Sequence, residues 1–180
     1  NLGLAYSNLG EVQKAIGYFE ESLKIKREIG DRRGEGNALT GLGNAYYSLG
    51  EVQKAIGYYE QALAIYREIG DRRGEGADLG NLGLAYSNLG EVQKAIGYFE
   101  ESLKIKREIG DRRGEGNALT GLGNAYYSLG EVQKAIGYYE QALAIYREIG
   151  DRRGEGADLG NLGNAYYSLG EVQKAIGYYE

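Results

Sequence analysis

The chain has 180 residues, with 21 Lys and Arg against 26 Asp and Glu and a net charge of −5. The two signs are interspersed, which argues against a nucleic-acid or acidic-membrane surface, since either needs a basic patch. With no Cys and no His the chain can form no disulfide, Zn-thiolate site, imidazole base or Cys nucleophile.

No apolar run approaches the ~20 residues of a membrane span and no signal-like start is present, so a cytoplasmic protein is expected. The sequence contains no Met, as expected of a fragment or a processed product.

A forty-residue period organises everything else. The stretch Gly41–Glu60 returns with small changes at 1–20, 81–100, 121–140 and 161–180, and residues 1–80 and 81–160 are identical letter for letter. The expected arrangement is one array over 1–180. Its units run over about 1–30, 31–70, 71–110, 111–150 and 151–180, the first and last being partial.

Within one unit, Gly70 supplies a left-handed residue past a helix end, and Asp71 accepts hydrogen bonds from the first free amides of the next helix. From Arg72 to Leu89 the residues Leu79, Leu82, Ala85, Tyr86 and Leu89 recur at three- and four-residue spacing. That pattern predicts a helix with one buried stripe, helix A. Gly90 breaks it. Val92, Ala95, Ile96, Phe99, Leu103 and Ile105 continue the spacing to Ile109 and predict helix B, ended by Gly110. Period-two alternation is missing and Pro is absent, so no sheet is expected. One hairpin cannot bury both of its apolar stripes, whereas stacked hairpins can.

Glycines inside the helices need separate reasons, since each costs ~1 kcal/mol against Ala. Gly43, Gly83 and Gly123 lie on or beside the apolar stripe and let another helix approach closely. Gly74 and Gly76, in the first turns of helix A, are expected to leave that end loose.

Leu39, Leu42, Gly43, Tyr46, Ala55, Tyr59 and Ala62 together resemble the pattern of the tetratricopeptide repeat. The match recurs in all five units, with Ser22 and Ser102 replacing the last Ala. The resemblance implies an all-α, right-handed superhelical solenoid of antiparallel helix-turn-helix hairpins. The usual Pro would fall at Arg67 and is missing, so helix B is expected to run on through Arg67, Glu68 and Ile69. The six extra residues per unit resemble the Leu-Gly-Asn subfamily of spindle-orientation adaptors, kinesin light chains and bacterial relatives. There, the concave groove lined by helix A holds partner peptides.

The sequence supports such a groove on its own. Helix A carries an uncharged second stripe of Asn37, Thr40, Asn44, Tyr47 and Ser48, while helix B places Glu51, Lys54, Glu60, Arg67 and Glu68 outward. Asn offers a donor and an acceptor to a peptide backbone, and Tyr adds apolar area with a polar tip. The candidate peptide-binding residues are Asn44, Tyr47, Asn81, Asn124, Tyr127, Asn161, Asn164 and Tyr167. Leu4 and Leu84 take the place of Asn44 in alternate units, and Ser7 and Ser87 that of Tyr47. Tyr46, Tyr58, Tyr59 and Tyr66 are expected in packing. Helix A has no Lys or Arg between residues 34 and 53, so no carboxylate clamp is expected.

Asp78 and Asp158 stand where Ala38 and Ala118 stand in the other unit type. A single carboxylate is neither a catalytic pair nor a metal cage. Each is expected partly exposed near its helix start, paired with Arg or favoured by the helix dipole. The Gly-Asp-Arg-Arg-Gly-Glu-Gly segment lacks the Lys-Ser/Thr ending and preceding strand of a phosphate loop.

Two functions from different classes remain. One is a non-catalytic scaffold binding a partner protein or peptide in the groove. The other is a constructed or consensus-like array without a natural ligand, stacking end to end through its open ends into superhelical assemblies. Neither calls for a cofactor, a metal, a nucleic acid or a membrane.

Overall fold

The structure is a computed structural model and describes residues 11–179. The described residues form nine α-helices and no strand: α1 Val12–Glu28, α2 Arg32–Ser48, α3 Val52–Ile69, α4 Arg72–Asn88, α5 Val92–Glu108, α6 Arg112–Ser128, α7 Val132–Glu148, α8 Arg152–Ser168 and α9 Val172–Tyr179. The even-numbered helices are the A helices and the odd-numbered ones the B helices. As expected from the missing Pro, α3 runs through Arg67 to Ile69.

Each turn is built by the residues the sequence singles out. Gly70 adopts φ 68°, and the Asp71 amide donates back to the Tyr66 carbonyl at 2.9 Å. This closure satisfies the end of α3. The Asp71 carboxylate then accepts from the Gly74 amide at 3.0 Å and caps α4. One Gly-Asp pair thus ends one helix and starts the next. Asp31, Asp111 and Asp151 repeat the cap.

The chain divides into two compact units, one ending at Leu89 and one beginning at Gly90. In the first unit, α1 packs on α2, α2 on α3 and α3 on α4; in the second, the same order runs from α5 to α9. Within each unit neighbouring A helices also touch, α2 with α4 and α6 with α8, whereas no pair of B helices does among the described residues. The A helices are therefore the inner layer of each unit. Leu39, Leu42 and Tyr66 in the first unit, and Tyr139, Leu143 and Leu162 in the second, lie in the cores between layers.

A Cβ on Gly43 would stand 2.4 Å from the Tyr59 ring, so the glycine lets helix B lay an aromatic on the backbone of helix A. The expectation that Gly74 loosens its helix end is corrected. A Cβ there would lie 2.5 Å from the Tyr66 ring, and one on Gly36 would lie 2.9 Å from the same ring. Tyr66 is wedged between the first turns of α2 and α4, and the glycines are the slot that admits it. In the alternate hairpin, Lys26 takes the place of the tyrosine and its Nζ lies 2.7 Å from Asp31.

The six-residue extension forms an ion network across the same turn. Glu35, buried, receives Arg27 at 2.8 Å and also Arg32, which reaches on to Glu68 of α3. Burial pushes the Glu35 carboxyl up, but the two guanidinium groups outweigh it and hold it below the ordinary range. Glu75, Glu115 and Glu155 repeat the pairing with the Arg residues that flank them. Arg67, at the site of the missing Pro, is one of these partners.

Candidate binding surface of the A helices

On α2 and α6 the exposed stripe carries asparagines whose orientation is set from below. Tyr59, 2% exposed, points its hydroxyl outward from α3 and donates to Asn44 Oδ1 at 2.8 Å. Tyr66 does the same to Asn37 Oδ1 at 2.8 Å. The second unit repeats both bonds, Tyr139 to Asn124 at 2.8 Å and Tyr146 to Asn117 at 2.9 Å. With the amide oxygen occupied, the exposed Asn44 and Asn124 side chains turn their N–H donors to solvent.

Asn81 and Asn161 are set the opposite way. Their Nδ2 groups donate to Asp78 and Asp158 at 3.1 Å, which leaves the amide oxygen of each half-buried side chain able to accept. Each unit therefore holds one asparagine by its oxygen on one A helix and another by its nitrogen on the next.

The structure gathers Asn44, Tyr47 and Asn81 on neighbouring A helices of the first unit. Asn88 Nδ2 reaches the Tyr47 hydroxyl at 3.5 Å across the α2–α4 seam. In the second unit Asn124 and Tyr127 stand on α6, and Asn161, Asn164 and Tyr167 on α8. Tyr127 and Tyr167 are 37% and 65% exposed. Leu4 and Ser7 lie outside the described residues. Leu84, 49% exposed beside these asparagines, is an apolar contact that reading Asn and Tyr alone passes over.

The expected setting of Asp78 and Asp158 is overturned. Both are fully buried, and among the described residues no Arg pairs with either. Asp78 accepts from Thr40 of α2 at 2.8 Å and from Asn81. Asp158 accepts from Thr120 of α6 at 2.9 and 3.1 Å and from Asn161. Burial pushes Asp78 up to about 7, against the lowering effect of Thr40 and Asn81, and Asp158 up to about 6 against Thr120 and Asn161. Burial, with Asp78 and Tyr47 nearby, also pushes the Tyr59 hydroxyl well above its ordinary value.

Tyr46 and Tyr58 stack at 5.3 Å with Lys54 Nζ 5.1 Å from the Tyr46 ring, and Tyr126, Tyr138 and Lys134 repeat the arrangement. These tyrosines serve the hairpin, as the sequence reading expects. Among the described residues no cluster of three or more Asp or Glu is placed to hold a metal ion, and no helix is long and apolar enough to cross a membrane.

Hairpins of two helices, an inner A layer and a glycine slot for an aromatic define a helical-repeat protein of the tetratricopeptide class. A family model described as Tetratricopeptide repeat matches residues 1–68, 77–148 and 117–180, and the chain belongs to that family. Among solved structures, BtubC (BKLC) from P. vanneervenii is 26% identical, with a TM-score of 0.88 over 98% of this chain and 74% of that one. A putative kinesin light chain from Podosopora anserina with nearly identical TPR-like repeats is 25% identical, with a TM-score of 0.80 over 99% of this chain and 88% of that one. A Rap protein complexed with Competence and Sporulation Factor is 21% identical, with a TM-score of 0.84 over 98% of this chain and 50% of that one; it shows the fold alone. A comparison with curated proteins returns no match.

Proposed function

We propose that the protein is a non-catalytic scaffold whose A helices bind an extended segment of a partner protein. The observation that carries this reading is the polarised asparagine arrangement. Buried tyrosines hold the oxygens of Asn44 and Asn124, leaving their N–H groups to donate, and buried aspartates hold the N–H groups of Asn81 and Asn161, leaving their oxygens to accept. A peptide backbone presents carbonyls and amides in alternation, and groups already held in place lose little entropy on binding it. Tyr127, Tyr167 and Leu84 add exposed apolar area for side chains. The family and the fold it shares with the Rap complex are compatible with this use.

The test must avoid the asparagines. Replacing Asn44 with Ala orphans the buried Tyr59 hydroxyl and costs about 1–3 kcal/mol of stability, which confuses binding with folding. The probe is a displayed random-peptide library selected on the full chain, with the variant L84A/Y127A/Y167A as counter-target. Selected peptides are expected to bind the parent at least about tenfold tighter, ~1.4 kcal/mol. Failure to enrich any peptide, or equal binding to the variant, overturns the reading.

A further inference from the structure

Between pH 5 and 8 this chain has little to titrate. It has no His and no Cys, the side chains that most readily change charge in that range. Two carboxyls are the exception by virtue of where they sit. Asp78 is enclosed by Thr40 of α2, by Tyr59 and Tyr66 of α3, and by Asn81 of its own helix. Asp158 is enclosed by Thr120 of α6, by Tyr139 and Tyr146 of α7, and by Asn161. No cation faces either carboxyl from these helices, and α9 brings no titratable group to Asp158 among the described residues. Arg33 and Asp71 act on Tyr66, and Arg113 and Asp151 on Tyr146, rather than on the aspartates.

The threonine between them can serve both protonation states. A hydroxyl has one proton and two lone pairs. When the aspartate is ionised, Thr120 donates to it. When the aspartate is protonated, its O–H donates to Thr120 Oγ1, and the threonine proton turns to the Gly116 carbonyl at 3.1 Å. In the first unit the outlet is the Tyr66 hydroxyl, 3.4 Å from Thr40, which itself donates to Asn37. The neutral form is satisfied throughout. The ionised form leaves a charge, held only by neutral donors, in a dry seam between two helices.

We propose that the Thr40–Asp78 and Thr120–Asp158 contacts are proton-controlled latches between neighbouring A helices, tight when the carboxyl is protonated and loosened when it ionises. The sign follows from burial. Both folded values lie above the ordinary one, so their stabilisation is complete below about pH 4 and is lost as pH rises through 6 to 7. Asp31, Glu35, Glu148 and Glu155 are held below their ordinary values, so their stabilisation is lost only as pH falls below about 4. The two windows do not overlap. The latch does not depend on the peptide-binding reading, because it needs no ligand.

The experiment is thermal unfolding of the full chain between pH 5 and 8 at fixed ionic strength, with side-chain carboxyl 13C NMR titration. The parent's midpoint is expected to fall by at least about 4 °C across this range, and that of D78N/D158N to stay level. Two carboxyl resonances are expected to titrate above pH 5.5, one vanishing in each single variant. The proposal is overturned if every carboxyl titrates below pH 5, or if the double variant keeps the parent's slope. Should the double variant not fold, the parent's carboxyl titration decides alone.

Discussion

Asp78 and Asp158 hold the same place in two stretches of identical sequence, and a threonine and an asparagine donate to each. Thr Oγ1 lies 2.8 Å from the first carboxylate and 2.9 Å from the second, and an Asn three residues on donates to each at 3.1 Å. Yet burial drives the first up to about 7 and the second only to about 6. The lysines that replace the wedge tyrosine also differ between copies, in the opposite sense: the Lys26 side chain is 34% exposed and that of Lys106 10%. The threonine and asparagine bonds to the carboxylate are copied with the letters. Desolvation depends on how much protein surrounds a site, so it follows position in the array.

This contrast divides substitutions into those that act equally in both copies and those that do not. The largest effect is expected from Gly43→Ala and Gly123→Ala. In both copies the new Cβ would stand 2.4 Å from a buried tyrosine ring, so each should lose about 2–3 kcal/mol, and the two losses should match. Local hydrogen exchange in the affected hairpin measures them, since a repeat array need not unfold in one step. Unequal losses would mean that even helix-pair packing depends on position.

Asp78→Asn and Asp158→Asn should differ. At pH 8 each removes a charge from a buried seam and should stabilise its unit, the first more than the second because burial pushes it higher. Exchange rates at pH 8 for the two single variants read the difference; equal gains would make desolvation a property of the letters after all. Tyr66→Phe and Tyr146→Phe remove the hydroxyl that orients Asn37 and Asn117. Each should cost about 1 kcal/mol, again equally. The smallest effect is expected from Gly57→Ala and Gly137→Ala, where a Cβ meets nothing within 4 Å. Helix propensity alone should yield a gain of up to about 1 kcal/mol in unfolding assays. Nothing in the structure explains why glycine stands at these two positions.

The fold was legible because each of its parts has a local signature. Period 3.6 marked both helices, and Gly-Asp marked the turn between hairpins. Tyr59 and Tyr66 read as packing residues, and so they are. The site was legible in outline only. Asn44, Tyr47 and Asn81 share a surface of the first unit, but which end of the Asn44 amide is held depends on Tyr59, 15 residues on, and which end of Asn81 on Asp78, whose burial comes from another helix. Asp78 was misread because a carboxylate near a helix start usually faces water. A signal was present: Asp78 replaces Ala38, while Thr40 is replaced by Gly80. Where two unit types change a donor and an acceptor together, a contact between neighbouring units is the physical cause to suspect.

By itself the sequence determined the unit: its helices, its turns, its apolar stripes and the family they define. Those follow from backbone geometry and from spacing along one helix, which neighbours in the chain supply. Only the tertiary structure decided that Tyr66 is wedged between two glycines, that Tyr59 holds the amide oxygen of Asn44, and that two aspartates are buried and pushed above their ordinary acidity. Apart from the Asp78–Asn81 pair within one helix, these are set by side chains from another helix, and by the amount of protein that keeps water away.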